Sequence, residues 1–177
     1  MDAIETSRLV LRNFRKADAG DLLAYLREPR ASCFLSLKLE SVSAAEAEAE
    51  KRGKNDEYIA VCLKDSDKLI GDVFAMPEED TFAVGWNFAA DFGGAGYASE
   101  ATRVLFAYLF TVKQARRLYA YVEDHNKASQ RLCERLGMRK EGLFEEFVSF
   151  KRDADGIPIY ENTMQYAILR KLWGAQE

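Results

Sequence analysis

A glycine-rich stretch near the middle of the chain has the residue types needed to bind an anion. Phe92 is followed by Gly93, Gly94, Ala95 and Gly96, and then by the helix-forming run YASEATRVLFAYLFTV. Small residues let the backbone approach a ligand, and the free N–H groups of a helix's first turn carry about half a positive charge. The stretch predicts a phosphate or pyrophosphate site, although the glycines alone also fit an ordinary turn. It is not a Walker A loop, because no Lys-Ser or Lys-Thr follows.

A second polar segment follows about 30 residues later. Asn126 precedes the run KASQRLCERL, so it is the predicted N-cap of a helix. Ser129 lies in the first turn of that helix, where its hydroxyl can reach the same ligand. Lys127 and Arg131 are one turn apart and either supply charge to phosphates or form a solvated helix face.

Composition and charge exclude several other classes of protein. The 177 residues carry 25 basic and 29 acidic side chains, for a net charge of −4, so we expect no nucleic-acid partner. The single histidine, His125, and three widely spaced cysteines have no metal-binding spacing, so we expect no metal. No apolar stretch approaches the roughly 18 residues of a membrane span, and the start has no secretory signal. We therefore expect a soluble, cytoplasmic protein that does not associate with membranes.

Hydrophobic periodicity predicts one domain, residues 1–177, of mixed α/β (α+β) class. Strands are predicted at 8–14, 58–63, 68–76, 81–88, 118–122, 138–150 and 161–169, and helices at 17–28, 44–52, 97–112 and 127–136. Helices after strands 81–88 and 118–122 imply right-handed crossovers and a parallel pair. Ser43 and Glu46 are predicted to form a capping box, and Gly53 to end that helix in the left-handed conformation.

In this order of elements the chain resembles the GNAT superfamily of acetyl-coenzyme A-dependent N-acetyltransferases, with the RimJ/RimL-like ribosomal-protein-alanine branch as the nearest match. The resemblance is carried by ETSRLVLR, GWNFAADFGGAGYASEA, NKASQRLCERLGMRKEG and YENTMQYAIL, which are spread over residues 5–170. It implies the GNAT fold, a mostly antiparallel mixed sheet of about seven strands in which the fourth and fifth form a splayed parallel pair, flanked by about four helices. It also implies a monomer or homodimer.

The resemblance further implies acetyl-coenzyme A as donor and a primary amine as acceptor, either a protein N-terminus or a small amine such as a polyamine. The pantetheine arm would pair with the end of strand 81–88, where a main-chain N–H near Phe88 would stabilise the oxyanion. Ser129 would protonate the departing thiolate. The implied coenzyme contacts are Asn87, Phe88, Ala89, Ala90, Gly93, Gly94, Ala95, Gly96, Tyr97, Ala98, Asn126, Lys127 and Ser129.

A general base must take a proton from the attacking amine, which is mostly ammonium at neutral pH. The candidates are Glu145 and Glu146 on strand 138–150, and Glu78 and Glu79 before strand 81–88. Strand alternation allows at most one of Glu145 and Glu146 to face a cleft. The family comparison favours Glu146, and a water relay would also suffice.

Two positions depart from the family pattern. Gly93 stands where the family usually has glutamine or arginine, and Cys133 stands where many members have the tyrosine that serves as acid. The loss of side-chain donors at the phosphate loop could weaken coenzyme binding by about 1–3 kcal/mol. Both departures leave open an alternative, an acyl-coenzyme A-binding module with little or no turnover that acts as a sensor or interaction protein.

Overall fold

The apolar runs of the sequence form one eight-stranded sheet with helices on both faces. A computed structural model describes residues 1–174. The strands are β1 (Ile4–Glu5), β2 (Leu9–Arg12), β3 (Tyr58–Leu63), β4 (Leu69–Glu78), β5 (Thr81–Phe88), β6 (Arg117–Glu123), β7 (Arg139–Arg152) and β8 (Pro158–Leu169). The helices are α1 (Ala19–Leu26), α2 (Val42–Arg52), α3 (Tyr97–Thr111), α4 (Lys127–Arg135) and α5 (Arg170–Trp173). The predicted fold class is therefore confirmed, with the short β1 as an additional strand.

The order across the sheet is β1-β2-β3-β4-β5-β6-β8-β7. Every neighbouring pair is antiparallel except β5 and β6. One apolar core lies between the sheet and α3 and α4, with Leu105, Phe106 and Leu118 fully buried. A second core lies under α1 and α2 on the opposite face and includes Leu22 and Ala45. The sheet is thus covered on both faces, as the near-continuous apolar runs of its central strands require.

The parallel pair of β5 and β6 is short. Residues 81–83 pair with residues 117–119, after which neither strand pairs with the other. β5 nevertheless continues to Phe88 and β6 to Glu123. The two strands therefore diverge toward their carboxyl ends and leave a gap in the middle of the sheet. Both crossover helices, α3 and α4, begin at this end.

The helix boundaries agree with the sequence in part. Asn126 is the N-cap of α4, as predicted, and its Oδ1 accepts the N–H of Ser129 at 3.1 Å. The predicted capping box at Ser43 is wrong, because the chain enters α2 two residues earlier and Ser41 Oγ accepts the Ala44 N–H at 3.2 Å. Gly53 is in the right-handed region, with φ −69°. It is needed there because a Cβ would lie 2.6 Å from the carbonyl oxygen of Phe14.

The described helices are all too short or too polar to cross a lipid bilayer.

A buried charge network joins α1 and α2 to the sheet. Arg52 and Asp72 are 2% and 1% exposed, and Nη1 of Arg52 lies 3.3 Å from Oδ1 of Asp72. Tyr25 donates its hydroxyl to the same oxygen at 2.7 Å, and Nε of Arg52 donates to Glu48 at 2.8 Å. The guanidinium also stacks on the ring of Tyr58, 4.3 Å from its centroid. One arginine therefore neutralises the buried Asp72 carboxylate and supports the Tyr58 ring.

We expect Arg52→Ala to lower the free energy of unfolding by about 3–5 kcal/mol, because it leaves the Asp72 carboxylate buried without a counter-charge. Urea denaturation followed by circular dichroism measures the loss. Arg15→Ala is the matched control, since the Arg15–Asp67 pair is solvent-exposed and should contribute at most about 1 kcal/mol. Equal small losses in the two variants would show that the buried network does not stabilise the fold.

Candidate active site

The gap between β5 and β6 opens into a cleft of about 1180 Å³. Its walls are the diverging strand ends, residues 84–88 of β5 and 120–123 of β6. The first turns of α3 and α4 also line it, through Tyr97 and Ser129 among others. Backbone edges, two helix N-termini and a set of side chains from distant parts of the chain therefore face one space.

The β5 side of the cleft carries free backbone donors. β5 pairs with β4 along its whole length, and just beyond it the N–H of Ala89 donates to Ile70 of β4 at 3.0 Å. Successive N–H groups of a strand point to opposite edges, so those of Trp86 and Phe88 point away from β4. Both lie beyond the three residues that pair with β6, so no neighbouring strand pairs with them on that side. An extended ligand can pair with it as an additional strand would.

The glycine-rich loop before α3 carries a second set of free donors. Gly94 and Gly96 have φ of +80° and +84°, a left-handed conformation that only glycine adopts readily. Within residues 1–174, none of the six N–H groups from 94 to 99 has a hydrogen-bond acceptor. The first intrahelical bond is Glu100 N–H to Gly96 O at 3.0 Å. Six free donors at a helix N-terminus are an arrangement that suits an anion, as the glycines predict.

The amino-terminal strands hold this loop in place. Arg8 donates through Nη1 to the carbonyl of Ala95 at 2.9 Å and through Nε to Glu100 at 2.7 Å, and it stacks on the ring of Tyr97 at 4.5 Å. Thr6 donates to the other oxygen of Glu100 at 2.6 Å. Burial opposes ionisation of Glu100, but the hydrogen bonds from Thr6 and Arg8 outweigh it and lower the pKa of this carboxyl. Sequence reasoning gave Arg8 no role, because its partners are some 90 residues away.

The α4 side of the cleft is positively charged. Lys127, Arg131 and Arg135 all line it and are exposed. None of the three has a carboxylate within 4 Å in the described part of the chain. Lys127 Nζ donates instead to the carbonyl of Asp124 at 2.9 Å. A protein with a net charge of −4 thus presents uncompensated positive charge next to the free N–H groups of the loop.

Ser129 is held across the gap by a residue of β5. The indole Nε1 of Trp86 donates to Ser129 Oγ at 3.1 Å. Because an indole N–H is only a donor, the hydroxyl hydrogen of Ser129 stays free for a group inside the cleft. From the sequence, Trp86 was expected to offer only its backbone groups to the pantetheine arm, and nothing in the local sequence indicates this side-chain contact.

The other predicted site residues divide into two groups. Asn87 and Phe88 line the cleft, as do Gly93, Gly94, Gly96, Tyr97, Ala98 and Asn126. Ala89, Ala90 and Ala95 do not line it. Ala90 begins a short 3₁₀ turn that redirects the chain from β5 to the glycine loop, and the carbonyl of Ala95 accepts from Arg8. Cys133, at the tyrosine position of the family, is fully buried, and burial raises its thiol pKa to about 12.

The predicted base, Glu146, does not line the cleft. It lies in an irregular segment of β7 with φ +45°, its N–H donates to Asn162 Oδ1 at 2.9 Å, and its side chain is exposed. Strand alternation, which allowed at most one of Glu145 and Glu146 to face a cleft, does not hold through this bulge. Glu78 and Glu79 also lie outside the cleft, at the opposite end of β5. Among the described residues, the carboxylate that lines it is Glu123.

Residues 1–174 contain no group of three or more His, Cys, Asp or Glu side chains placed to hold a metal ion.

Comparison with known proteins agrees with this geometry. Residues 8–139 match the model of the acetyltransferase (GNAT) domain family. The chain is 29% identical over 173 residues to the uncharacterized N-acetyltransferase YnaD of Bacillus subtilis (strain 168), covering 96% of this chain and 98% of that one. An acetyltransferase of the GNAT family from Bacillus anthracis has a similar structure, with TM-score 0.85 and 24% identity, over 96% of this chain and 99% of that one.

The ribosomal-protein-S5-alanine acetyltransferase of Vibrio fischeri shares the fold with TM-score 0.72 and 18% identity, over 98% of this chain and 99% of that one. This likeness concerns the fold alone. The family match covers most of the chain and includes both strands that form the cleft and the helices that begin beside it. The protein belongs to the GNAT family of acetyltransferases.

Proposed function

We propose that the protein transfers an acetyl group from acetyl-coenzyme A directly to a primary amine in the cleft between β5 and β6. The observation that carries the proposal is the convergence of two sets of free backbone donors on one space. One set is the loop of residues 94–99, and the other is the β5 edge at Trp86 and Phe88. A ligand with a diphosphate at one end and an extended amide chain at the other satisfies both sets.

The residues present fit the coenzyme without the side chain that the family usually places at position 93. Six free N–H groups bind a diphosphate through the backbone alone, so Gly93 removes a side-chain donor and leaves the main-chain site intact. Lys127 and Arg131 supply positive charge beside it. When bound, acetyl-coenzyme A supplies a thioester, an acyl donor reactive enough to need no covalent enzyme intermediate.

Two groups of this chain act on the reacting atoms. The N–H of Phe88 points into the gap and stabilises the carbonyl oxygen as it gains negative charge. The Ser129 hydroxyl gives its proton to the departing sulfur. The N–H donated by Trp86 to Ser129 Oγ stabilises the negative charge that this transfer leaves on the serine, and it fixes the rotamer. Cleft walls that hold the acceptor in a reactive orientation add to the rate.

The acceptor is a protein N-terminus or a small amine. The branch of enzymes that acetylate ribosomal-protein N-termini is supported by the motifs in the sequence and by the shared fold with the Vibrio fischeri enzyme. We propose that the protein acts as a monomer or homodimer in the cytoplasm, without nucleic acid, membrane or metal. A module that only binds acyl-coenzyme A would have no use for a hydroxyl oriented into the gap, so the Trp86–Ser129 contact favours turnover.

Titration calorimetry with acetyl-coenzyme A, followed by a thiol-release assay with a panel of amines, tests the proposed function. We expect micromolar binding and thiol release that depends on the amine. Binding without amine-dependent release would leave the protein a binding module. Failure to bind acetyl-coenzyme A would contradict both functions.

Ser129→Ala is expected to lower kcat at least about tenfold, with little change in coenzyme affinity, because proton transfer is lost and the backbone donors remain. Trp86→Phe should lower kcat in the wild-type background and have no further effect on kcat when Ser129 is already alanine. Steady-state kinetics of the four proteins measure this coupling. Ser66→Ala, in the exposed turn after β3, is the matched control and should keep the wild-type rate. Equal effects of Trp86→Phe in both backgrounds would mean that the tryptophan does not act through Ser129.

A further inference from the structure

Glu123 is a buried carboxylate without a cation. It is the last residue of β6, lines the cleft and is only 5% exposed. One oxygen accepts the N–H of Cys33 at 3.3 Å, and the other accepts the side-chain amide of Asn126 at 3.4 Å. No lysine, arginine or histidine of residues 1–174 lies within 4 Å of it. Buried carboxylates are ordinarily paired with a cation, so the missing partner points to a cation that arrives from the cleft.

The neighbours of Glu123 on β8 add further negative charge and oxygen atoms without partners, and no cation. Thr163 pairs with Glu123 in the sheet register, and Glu161 is two residues away on the same face of β8. The Thr163 hydroxyl and one carboxylate oxygen of Glu161 are buried without a hydrogen-bond partner in the described residues. Burial, and then the Glu123 carboxylate, raise the pKa of the Cys33 thiol, so this thiol stays protonated. Two carboxylates and unsatisfied oxygens thus lie together with no positive group.

The adjacent walls of the cleft are aromatic. Phe34 meets Phe74 edge to face with 6.4 Å between ring centroids, and Tyr58 lies 5.8 Å from Phe74. Tyr121 lines the cleft two residues before Glu123 on the same face of β6. Gly85 makes room for this arrangement, because a Cβ there would lie 2.1 Å from the Phe74 ring. These rings suit an apolar group, and their faces also favour a nearby cation.

The charges lining the cleft set how many cations an acceptor can carry. Among the described lining residues, the one acid is Glu123, and the nearby rim carries Arg30. Glu161 does not line the cleft, so the second ammonium group of a polyamine would find no second carboxylate among the lining residues. An acceptor with a single ammonium group on an apolar body is complementary to the cleft, because the ammonium meets Glu123 and the apolar body meets the aromatic rings.

We infer that Glu123 binds the ammonium group of the acceptor and removes its proton, and that the acceptor is a monoamine carried on an apolar group. This inference rests on the proposed function and names the acceptor class and base for the same cleft. Glu123, Asn126 and Ser129 are joined by hydrogen bonds, with Asn126 donating to Glu123 and accepting from the Ser129 N–H. The base and the acid therefore occupy the two ends of one short segment.

Glu123 and Ser129 together account for every proton that the reaction moves. An N–H bond of the ammonium breaks and an O–H bond forms on Glu123, which frees the nitrogen lone pair. The nitrogen then forms a bond to the acyl carbon as the carbon–sulfur bond breaks, and the sulfur takes the Ser129 proton. The nitrogen gives up a second proton, which restores the serine, and Glu123 releases its proton to water.

The test uses two acceptors of nearly the same shape that differ in charge. 2-Phenylethylamine is an ammonium ion at neutral pH, whereas the nitrogen of O-benzylhydroxylamine is uncharged and needs no base before it attacks. Glu123→Gln should lower kcat/KM for 2-phenylethylamine at least about 100-fold and leave that for O-benzylhydroxylamine unchanged. The wild-type protein should prefer 2-phenylethylamine to spermidine at least about tenfold, since about 1.4 kcal/mol of discrimination suffices.

Glu134→Gln is the matched control, because it removes one negative charge from an exposed position of α4 that does not line the cleft. It should leave both rates unchanged. If Glu123→Gln does not fold, as judged by its thermal transition and its binding of acetyl-coenzyme A, Glu123→Asp takes its place. The aspartate is too short to reach the same nitrogen and should lower the rate with 2-phenylethylamine far more than the rate with O-benzylhydroxylamine.

Three results would overturn the inference while the proposed function stands. The first is an equal loss of rate with both nucleophiles, or no loss with either, which would make Glu123 a structural residue. The second is a preference for spermidine over 2-phenylethylamine. The third is coenzyme binding without acetylation of any of the three acceptors, because the proposed function also admits a protein N-terminus and is removed only if no amine of the wider panel gives thiol release.

Discussion

The three-residue pairing of β5 and β6 is the constraint on which the rest of the structure depends. Backbone N–H and C=O groups inside a sheet must find partners, and here the edge of a central strand has none at Trp86 and Phe88. The fold tolerates this because the unpaired edge faces a cleft open to solvent and ligands. It leaves a site where an extended ligand can complete the sheet between two strands that belong to the same domain.

The gap is held at a fixed width from both sides. At its closed end the parallel pairing of residues 81–83 with 117–119 fixes the strands, and the Trp86–Ser129 hydrogen bond links β5 to α4 near the open end. Behind the aromatic wall, the buried Arg52–Asp72 pair ties α2 to β4 and supports the Tyr58 ring. A rigid cleft is useful for direct transfer, since orienting donor and acceptor without further reorganisation accounts for much of the rate that such a site can provide.

Positive and negative charges lie at different ends of the cleft, so the net charge of −4 does not indicate the local charge at either end. The end at α3 and α4 has free N–H groups and the cations Lys127, Arg131 and Arg135, which suits an anionic ligand. The other end has Glu123 without a cation. Opposite charges at the two ends would orient an anionic donor and a cationic acceptor on either side of the reacting atoms.

The sequence predicts the parts of this site that depend on local backbone, and misses those that depend on contacts between distant residues. The glycine loop and the Asn126 N-cap follow from φ preferences and capping chemistry within a few residues, and both have the expected local geometry. The Ser43 capping box was wrong by two residues, because Ser41 competes for the same role. Arg8, Glu123 and the side-chain contact of Trp86 were missed, since their partners come from other elements. Glu146 was favoured by the family comparison, and the strand alternation expected around it is interrupted by a bulge in β7.

The central claim is that ligand binding satisfies the free donors of the β5 edge and the glycine loop. Amide hydrogen exchange, read by NMR with and without acetyl-coenzyme A, measures this directly, residue by residue. The predicted result is new protection at Trp86 and Phe88 and at residues 94–99, with little change in β2 and β3, which pair on both sides already. Binding that leaves those amides exchanging at their free rates would contradict the account.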